Sequence, residues 1–144
     1  MIAPSLKPTA IHETVLYAPD LKATIGFYRR VFEFEPITLS DRGVSFRINE
    51  QSVLLIFQPE LAATQTDGLV PPHGATGPGH ICFAVGQGTL KPWAKRLSDL
   101  GIEIEMERGW STGARSIYFR DPAGNSVEIA DGDIWAHQKP DDES

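Results

Sequence analysis

The sequence predicts an α+β protein made of two βαβββ modules, and three observations carry that prediction. The succession of apolar and polar segments over residues 11–57 reads strand, helix and three strands, and residues 80–130 read the same way. Each repeat opens on a strand that carries a histidine, Ile-His-Glu-Thr-Val at 11–15 and Gly-His-Ile-Cys-Phe at 79–83. Between them lies a segment, 58–79, with four prolines and four glycines in 22 residues, which reads as a connector. At 144 residues the chain suits one domain: module 1 over about 10–58, the connector over 59–79, module 2 over about 80–131, and an acidic tail at 138–144.

Residues 11–17 are rich in apolar and β-branched side chains and stop at Ala18-Pro19-Asp20. Asp20 suits the cap of a helix that places Leu21, Ile25, Tyr28 and Phe32 on one face and leaves Lys22, Arg29 and Arg30 to solvent. Three short segments, 36–40, 43–48 and 52–57, are divided by Asp41-Arg42-Gly43 and Asn49-Glu50-Gln51, the pattern of a meander. In the second repeat a strand at 80–85 precedes a helix from about 89 to 100, with Leu90, Trp93, Leu97 and Leu100 on one face and Gly101 placed for a left-handed helix end. Strands are then expected at 102–107, 114–120 and 125–130, the last two joined by the turn sequence Asp121-Pro122-Ala123-Gly124-Asn125.

Composition narrows the function. The formal charge is −6, from 13 Lys and Arg against 19 Asp and Glu, and no stretch concentrates the basic residues, which argues against a nucleic-acid partner. No apolar run approaches the ~20 residues of a membrane span, and residues 1–8 lack the layout of a signal peptide. Cys82, the single cysteine, leaves no internal disulfide and suits a reducing compartment, so a cytoplasmic location is expected. No Gly-x-Ser-x-Gly elbow supports Ser-His-Asp catalysis. Gly74-Ala75-Thr76-Gly77-Pro78-Gly79 lacks the Lys-Ser/Thr ending of a nucleotide loop.

His12, His80 and Glu128 are the side chains with metal-ligand chemistry at matching places in the repeat. Two imidazoles and one carboxylate suit a divalent cation with coordination positions left open for substrate. Glu128 lies between Val127 and Ile129, in a strand whose alternate residues are apolar, so its carboxylate needs a partner or a metal.

The stretch 17–32, with Asp20-Leu21 and Gly26-Phe27-Tyr28, resembles the first helix motif of the vicinal oxygen chelate superfamily, the glyoxalase, bleomycin-resistance and extradiol-dioxygenase group. Gly79–Val85 and Tyr118-Phe119-Arg120-Asp121-Pro122-Ala123-Gly124-Asn125-Ser126-Val127-Glu128 resemble its second-module metal strand and final hairpin. The resemblance spans residues 9–131. It implies two βαβββ modules forming an incompletely closed eight-stranded mixed sheet around a metal, His12, His80 and Glu128 as ligands of Fe, Mn, Zn, Ni or Co, a small-molecule substrate and a homodimer. Glu33 stands where the family has a glycine after the first helix. The strand 52–57 offers no carboxylate, the fourth ligand of glyoxalase I, so the resemblance points more to extradiol dioxygenases and thiol transferases acting on epoxides. A metal-free ligand-binding protein of the bleomycin-resistance type is the alternative.

Residues two apart share a strand face, which sets Thr14 beside His12 and Cys82 beside His80. Thr14 matches a threonine used in catalysis by the fosfomycin-thiol transferases; Cys82 reads as a small buried side chain. If Arg120 opposes Ser126, Tyr118 opposes Glu128 and either orients its carboxylate, bonds a substrate oxygen or forms an aromatic wall. The same layout in module 1 sets Phe46 opposite Leu54 as an apolar wall of the pocket. His73 and His137 are candidates to close over the site, His137 standing where the thiol transferases use an arginine. Trp110 suits either a flat substrate or packing, and Arg47, Arg115 and Arg120 are expected to be solvated.

Overall fold

A computed structural model describes residues 2–4, 6–65 and 69–136, so His137 and the acidic tail 138–144 lie outside the described residues. The chain divides into two compact units, residues 1–76 and 77–144, with the boundary inside the expected connector.

Unit 1 runs β1 (Glu13–Tyr17), α1 (Leu21–Phe32), β2 (Pro36–Leu39), β3 (Gly43–Arg47), β4 (Val53–Phe57) and a short α2 (Pro59–Thr64). Its four strands form one mixed sheet in the order β1-β4-β3-β2, with β1 parallel to β4. The Asp20 carboxylate caps α1 by accepting the Ala23 N–H at 3.0 Å. The helix buries Thr24, Phe27, Tyr28 and Val31 against the side of the sheet that carries Leu16, Val44, Phe46, Leu54 and Ile56, all buried. Tyr28, Phe32, Phe34 and Phe46 form an aromatic cluster, with Tyr28 and Phe32 stacked at 5.9 Å and Phe32 and Phe34 at 5.1 Å.

Two local features of unit 1 depart from expectation. Glu33 ends α1 in the left-handed region, φ 59°, its N–H bonded to the Arg29 carbonyl; a glutamate does there what glycine does at lower cost. The connector begins with α2, which the prolines around it obscured. Pro59 stands in the first turn, where its missing N–H has no helical partner to lose, and the Gln58 side chain accepts the Leu61 N–H at 2.8 Å.

Unit 2 runs β5 (His80–Val85), α3 (Leu90–Asp99), β6 (Met106–Gly109), β7 (Arg115–Arg120) and β8 (Ser126–Asp131), in the sheet order β5-β8-β7-β6 with β5 parallel to β8. Its core is Leu97 of α3 against Ile117, Phe119, Val127 and Ile129, all fully buried; Leu100, expected on the same helix face, stays exposed. Gly101 adopts φ 73° at the helix end, as anticipated. The sixth strand begins four residues later than the spacing suggested. Residues 102–105 carry the chain away from the helix end, and pairing starts where Met106 meets Tyr118. Two four-stranded mixed sheets, each with its helix, bear out the α+β class and the two βαβββ modules.

Candidate metal centre

The hairpin between β7 and β8 builds the site in unit 2. Asp121 accepts the Ala123 and Asn125 N–H groups, both at 2.9 Å, and the Asn125 side-chain amide at 2.9 Å. Gly124 takes φ 86° in this turn. Asn125 Oδ1 in turn accepts the Gly79 N–H at 2.7 Å, which fixes the start of β5 beside the start of β8. His80 therefore pairs with Ser126 and Cys82 with Glu128, while Tyr118 lies opposite Glu128 on the other side.

With Ile81, Phe83, Ile117, Val127 and Ile129 on the α3 side, the alternation of the strands leaves His80, Cys82, Ala84, Ser116, Tyr118 and Glu128 on the opposite, open face. Glu128 is nonetheless only 3% exposed. Its Oε2 accepts the Ser116 hydroxyl at 2.6 Å, and Ser116 Oγ accepts the Trp110 indole N–H at 2.8 Å. Trp110 is thus tied to the carboxylate, and its ring carries the Arg108 guanidinium at 4.0 Å. This chain of bonds was half legible in the sequence: the alternation places Ser116 on the right face, but the Trp110 bond to Ser116 comes from a loop.

His80 Nε2 lies 3.3 Å from Glu128 Oε1. On the other side of the ring, Nδ1 lies 3.0 Å from the Ser126 carbonyl oxygen. A carbonyl only accepts, so Nδ1 carries the hydrogen, and a ring with no second hydrogen would present a bare Nε2 to the carboxylate. Two lone-pair atoms then face each other, an arrangement that needs a cation between them: a proton on the ring or a metal ion. An imidazole held through Nδ1 by a backbone carbonyl is the usual preparation of a metal-ligating histidine. The donor chemistry fits a divalent cation. Among the described residues no group of three or more His, Cys, Asp and Glu side chains is placed to hold one; unit 2 contributes a pair.

The neighbours of this pair are protonated. Burial, then the charge of Glu128, pushes the Cys82 thiol up to about 12, although Cys82 counts among the exposed residues of β5. Burial and Glu128 also raise the Tyr118 phenol above its ordinary 10.0. The Tyr118 ring stacks on His80 at 6.4 Å.

In unit 1 the expected residues are placed differently. His12 is exposed and lies just before β1. Thr14 pairs with Leu54, and Leu54 lies opposite Phe46 as expected, but this is the face packed on α1, not an open pocket wall. The open face of the sheet carries Glu13, Val15, Tyr17, Ser45, Leu55 and Phe57. Tyr17 and His73 share a 2.6 Å hydrogen bond, and Phe57 meets the His73 ring edge-on at 4.7 Å, so the connector is pinned to this face. Leu55, not Leu54, occupies the place that Glu128 holds in unit 2; neither supplies a carboxylate. Of the arginines, Arg120 pairs with Glu105 at 3.1 Å on the surface, and Arg47 and Arg115 are exposed.

Comparison with known proteins agrees with this architecture. Residues 10–129 match the family described as the Glyoxalase/Bleomycin resistance protein/Dioxygenase superfamily. The chain is 29% identical over 130 residues to the metallothiol transferase FosB of Bacillus licheniformis, covering 90% of this chain and 79% of that protein. It is 27% identical over 127 residues to the fosfomycin resistance protein FosX of Listeria monocytogenes, covering 88% and 92%. The crystal structure of a lactoylglutathione lyase from Agrobacterium tumefaciens superimposes with a TM-score of 0.83 at 40% identity, over 90% of this chain and 98% of that one. The repeat, the sheet order and the match over 10–129 lead to one conclusion: the chain belongs to the glyoxalase/bleomycin resistance protein/dioxygenase superfamily, as one of its enzymes.

Proposed function

We propose that the chain is a divalent-metal enzyme that adds a thiol to a small, oxygen-bearing electrophile such as an epoxide. His80 and Glu128 would hold the cation, with a further donor from module 1, which the sequence assigns to His12. The observation that carries this reading is His80 Nε2 facing the Glu128 carboxylate at 3.3 Å while Nδ1 is held by the Ser126 carbonyl. The bound ion supplies Lewis-acid polarisation of a substrate oxygen. Tyr118, its phenol held protonated beside Glu128, donates a hydrogen bond to that oxygen. Arg108, across from Ser116 in the sheet, offers positive charge to an anionic substrate group. As the S–C bond forms the C–O bond breaks, and the oxygen takes up a proton in place of the one the thiol loses. Thr14 has no part in the scheme, because its register sets it on the helix side with Leu54.

A second reading, isomerisation of a thiohemiacetal, draws support from the 40% identity to a structure described as a lactoylglutathione lyase. Leu55 speaks against it, since a carboxylate at that place would serve as the second acid–base group. A homodimer in the cytoplasm belongs to the same proposal, supported by the family resemblance and the single cysteine; no helix among the described residues is long and apolar enough to cross a membrane. The test reconstitutes the protein anaerobically with Mn(II), Fe(II), Zn(II), Ni(II) or Co(II). It then follows thiol addition to a phosphonate-bearing epoxide, isomerisation of the glutathione–methylglyoxal hemithioacetal, and O₂ uptake on catechols. Metal-dependent thiol consumption is expected. Fast isomerisation without thiol addition would transfer the assignment to the lyase reading.

A further inference from the structure

We propose that Trp110 and Ser116 are positioning residues for Glu128, and that they leave it a single oxygen, Oε1, with which to hold the cation. This deepens the preceding proposal and rests on its reading of Glu128 as a ligand. The direction of each hydrogen bond follows from the donors. An indole N–H only donates, so Ser116 Oγ accepts it at 2.8 Å. The one hydrogen of the Ser116 hydroxyl then goes to Glu128 Oε2 at 2.6 Å. Oε2 is engaged from inside the protein, and Oε1 is the oxygen turned to His80 Nε2 at 3.3 Å.

The relay lies wholly within unit 2 and is shut away from water. Ser116 sits on the open face of its sheet, yet it is 1% exposed, with the Trp110 indole bonded to its hydroxyl. The loop that brings Trp110 there is closed by two backbone bonds. The Trp110 N–H donates to the Ala114 carbonyl at 2.9 Å, and the Gly113 N–H to the Trp110 carbonyl at 3.0 Å. Arg108, opposite Ser116 in the ladder, lies over the indole ring at 4.0 Å. The Cys82 thiol and the Tyr118 phenol also bond the carboxylate, but from the open face; the Ser116 bond is the buried one.

A carboxylate with both oxygens free can close on a cation as a two-oxygen ligand. One that is held through a fixed donor offers one oxygen and takes one coordination position. The difference leaves a further position for substrate oxygens. It also separates positioning from simple packing of the loop, because only positioning alters how the carboxylate meets the ion.

The experiment loads the full-length, untagged chain with Zn(II), which nitrogen and oxygen donors bind more tightly than Mn(II) or Fe(II). Infrared difference spectra compare loaded with metal-free protein. The splitting between the antisymmetric and symmetric carboxylate stretches is wide for one-oxygen ligation and narrow for two-oxygen ligation. Competition with a chelating dye gives the Zn(II) affinity, and thermal melting is the folding control. Trp110→Phe keeps a ring beneath Arg108 and deletes the donor; Ser116→Ala deletes the link. The parent should show a wide splitting that Glu128→Gln abolishes. Ser116→Ala should narrow it and weaken Zn(II) binding by ~10–100-fold, the usual effect of removing a ligand's hydrogen-bond partner. Trp110→Phe should move both in the same direction by less, and parental values there would take Trp110 out of the assignment. A narrow splitting in the parent, or a parental splitting in Ser116→Ala whatever its affinity or melting temperature, would overturn the positioning role. The metal reading would still stand if His80→Ala and Glu128→Ala lost Zn(II). No Zn(II) bound by the parent chain would overturn both.

Discussion

At the scale of the residue, Glu128 organises its surroundings. It is a buried carboxylate with one oxygen on the Ser116 hydroxyl and the other towards His80, and burial together with its charge raises the pKa of the adjacent Cys82 and Tyr118. Cys82 makes this measurable. With its thiol at about 12 instead of the ordinary 9.0, the thiolate that reacts with alkylating agents is scarce. Iodoacetamide should label Cys82 of the metal-free protein more slowly than a free thiol throughout pH 7–9, and Glu128→Gln should speed it, because the largest charge opposing ionisation is gone while burial remains. The linkage has a definite sign. The folded-state value lies above the unfolded one, so this contribution to stability is complete below about pH 9 and is lost as pH rises towards 12. Labelling at the free-thiol rate would show that Glu128 does not govern its neighbour.

At the scale of the element, the two strands that open the modules show what the sequence could and could not tell. The two longer helices, α1 and α3, were legible because apolar residues at helical spacing, such as Leu21, Ile25, Tyr28 and Phe32, have few alternative readings. The final hairpin was legible as far as its register, Tyr118 opposite Glu128, because the turn Asp121–Asn125 leaves little freedom. The first strand was not. Both of its faces carry apolar side chains, Val15 and Tyr17 on one and Leu16 on the other, so alternation alone does not say which is buried, and a shift by one residue exchanges the faces. The histidine at 12 invited a match with His80 that the backbone ladder does not make. Helix α1 offers a cleaner stability test. Glu33 holds φ 59°, which a residue with a Cβ adopts at a cost and glycine does not. Glu33→Gly is expected to stabilise the protein by roughly 0.5–1 kcal/mol, the relief of strain exceeding the extra freedom of the unfolded chain. Urea denaturation measures it, and a loss of stability would mean that the Glu33 side chain contributes more than its backbone costs.

At the scale of the whole molecule, one βαβββ plan is used twice for different ends. In each unit a helix covers one sheet face with a mainly apolar core, and chemistry is left to the other face. Unit 2 fills its open face with His80, Glu128, Ser116 and Tyr118. Unit 1 fills the corresponding places with Glu13, Leu55, Gly43 and Ser45. The doubling was evident from the sequence because it rests on many residues. The asymmetry of the site was not, because it rests on a few positions whose faces only the ladder determines.

The central claim is that His80 and Glu128 hold a divalent cation, and stoichiometric metal analysis of the untagged protein tests it most directly. After dialysis against Mn(II), or against Zn(II) if Mn(II) is not retained, and removal of free ion, the parent chain should keep about one equivalent per chain. His80→Ala and Glu128→Ala should keep almost none, with unchanged secondary structure. Retention should also fall in mild acid, because a protonated imidazole cannot ligate. One equivalent retained by either variant, or none by the parent chain with any of the metals tried, would contradict the account.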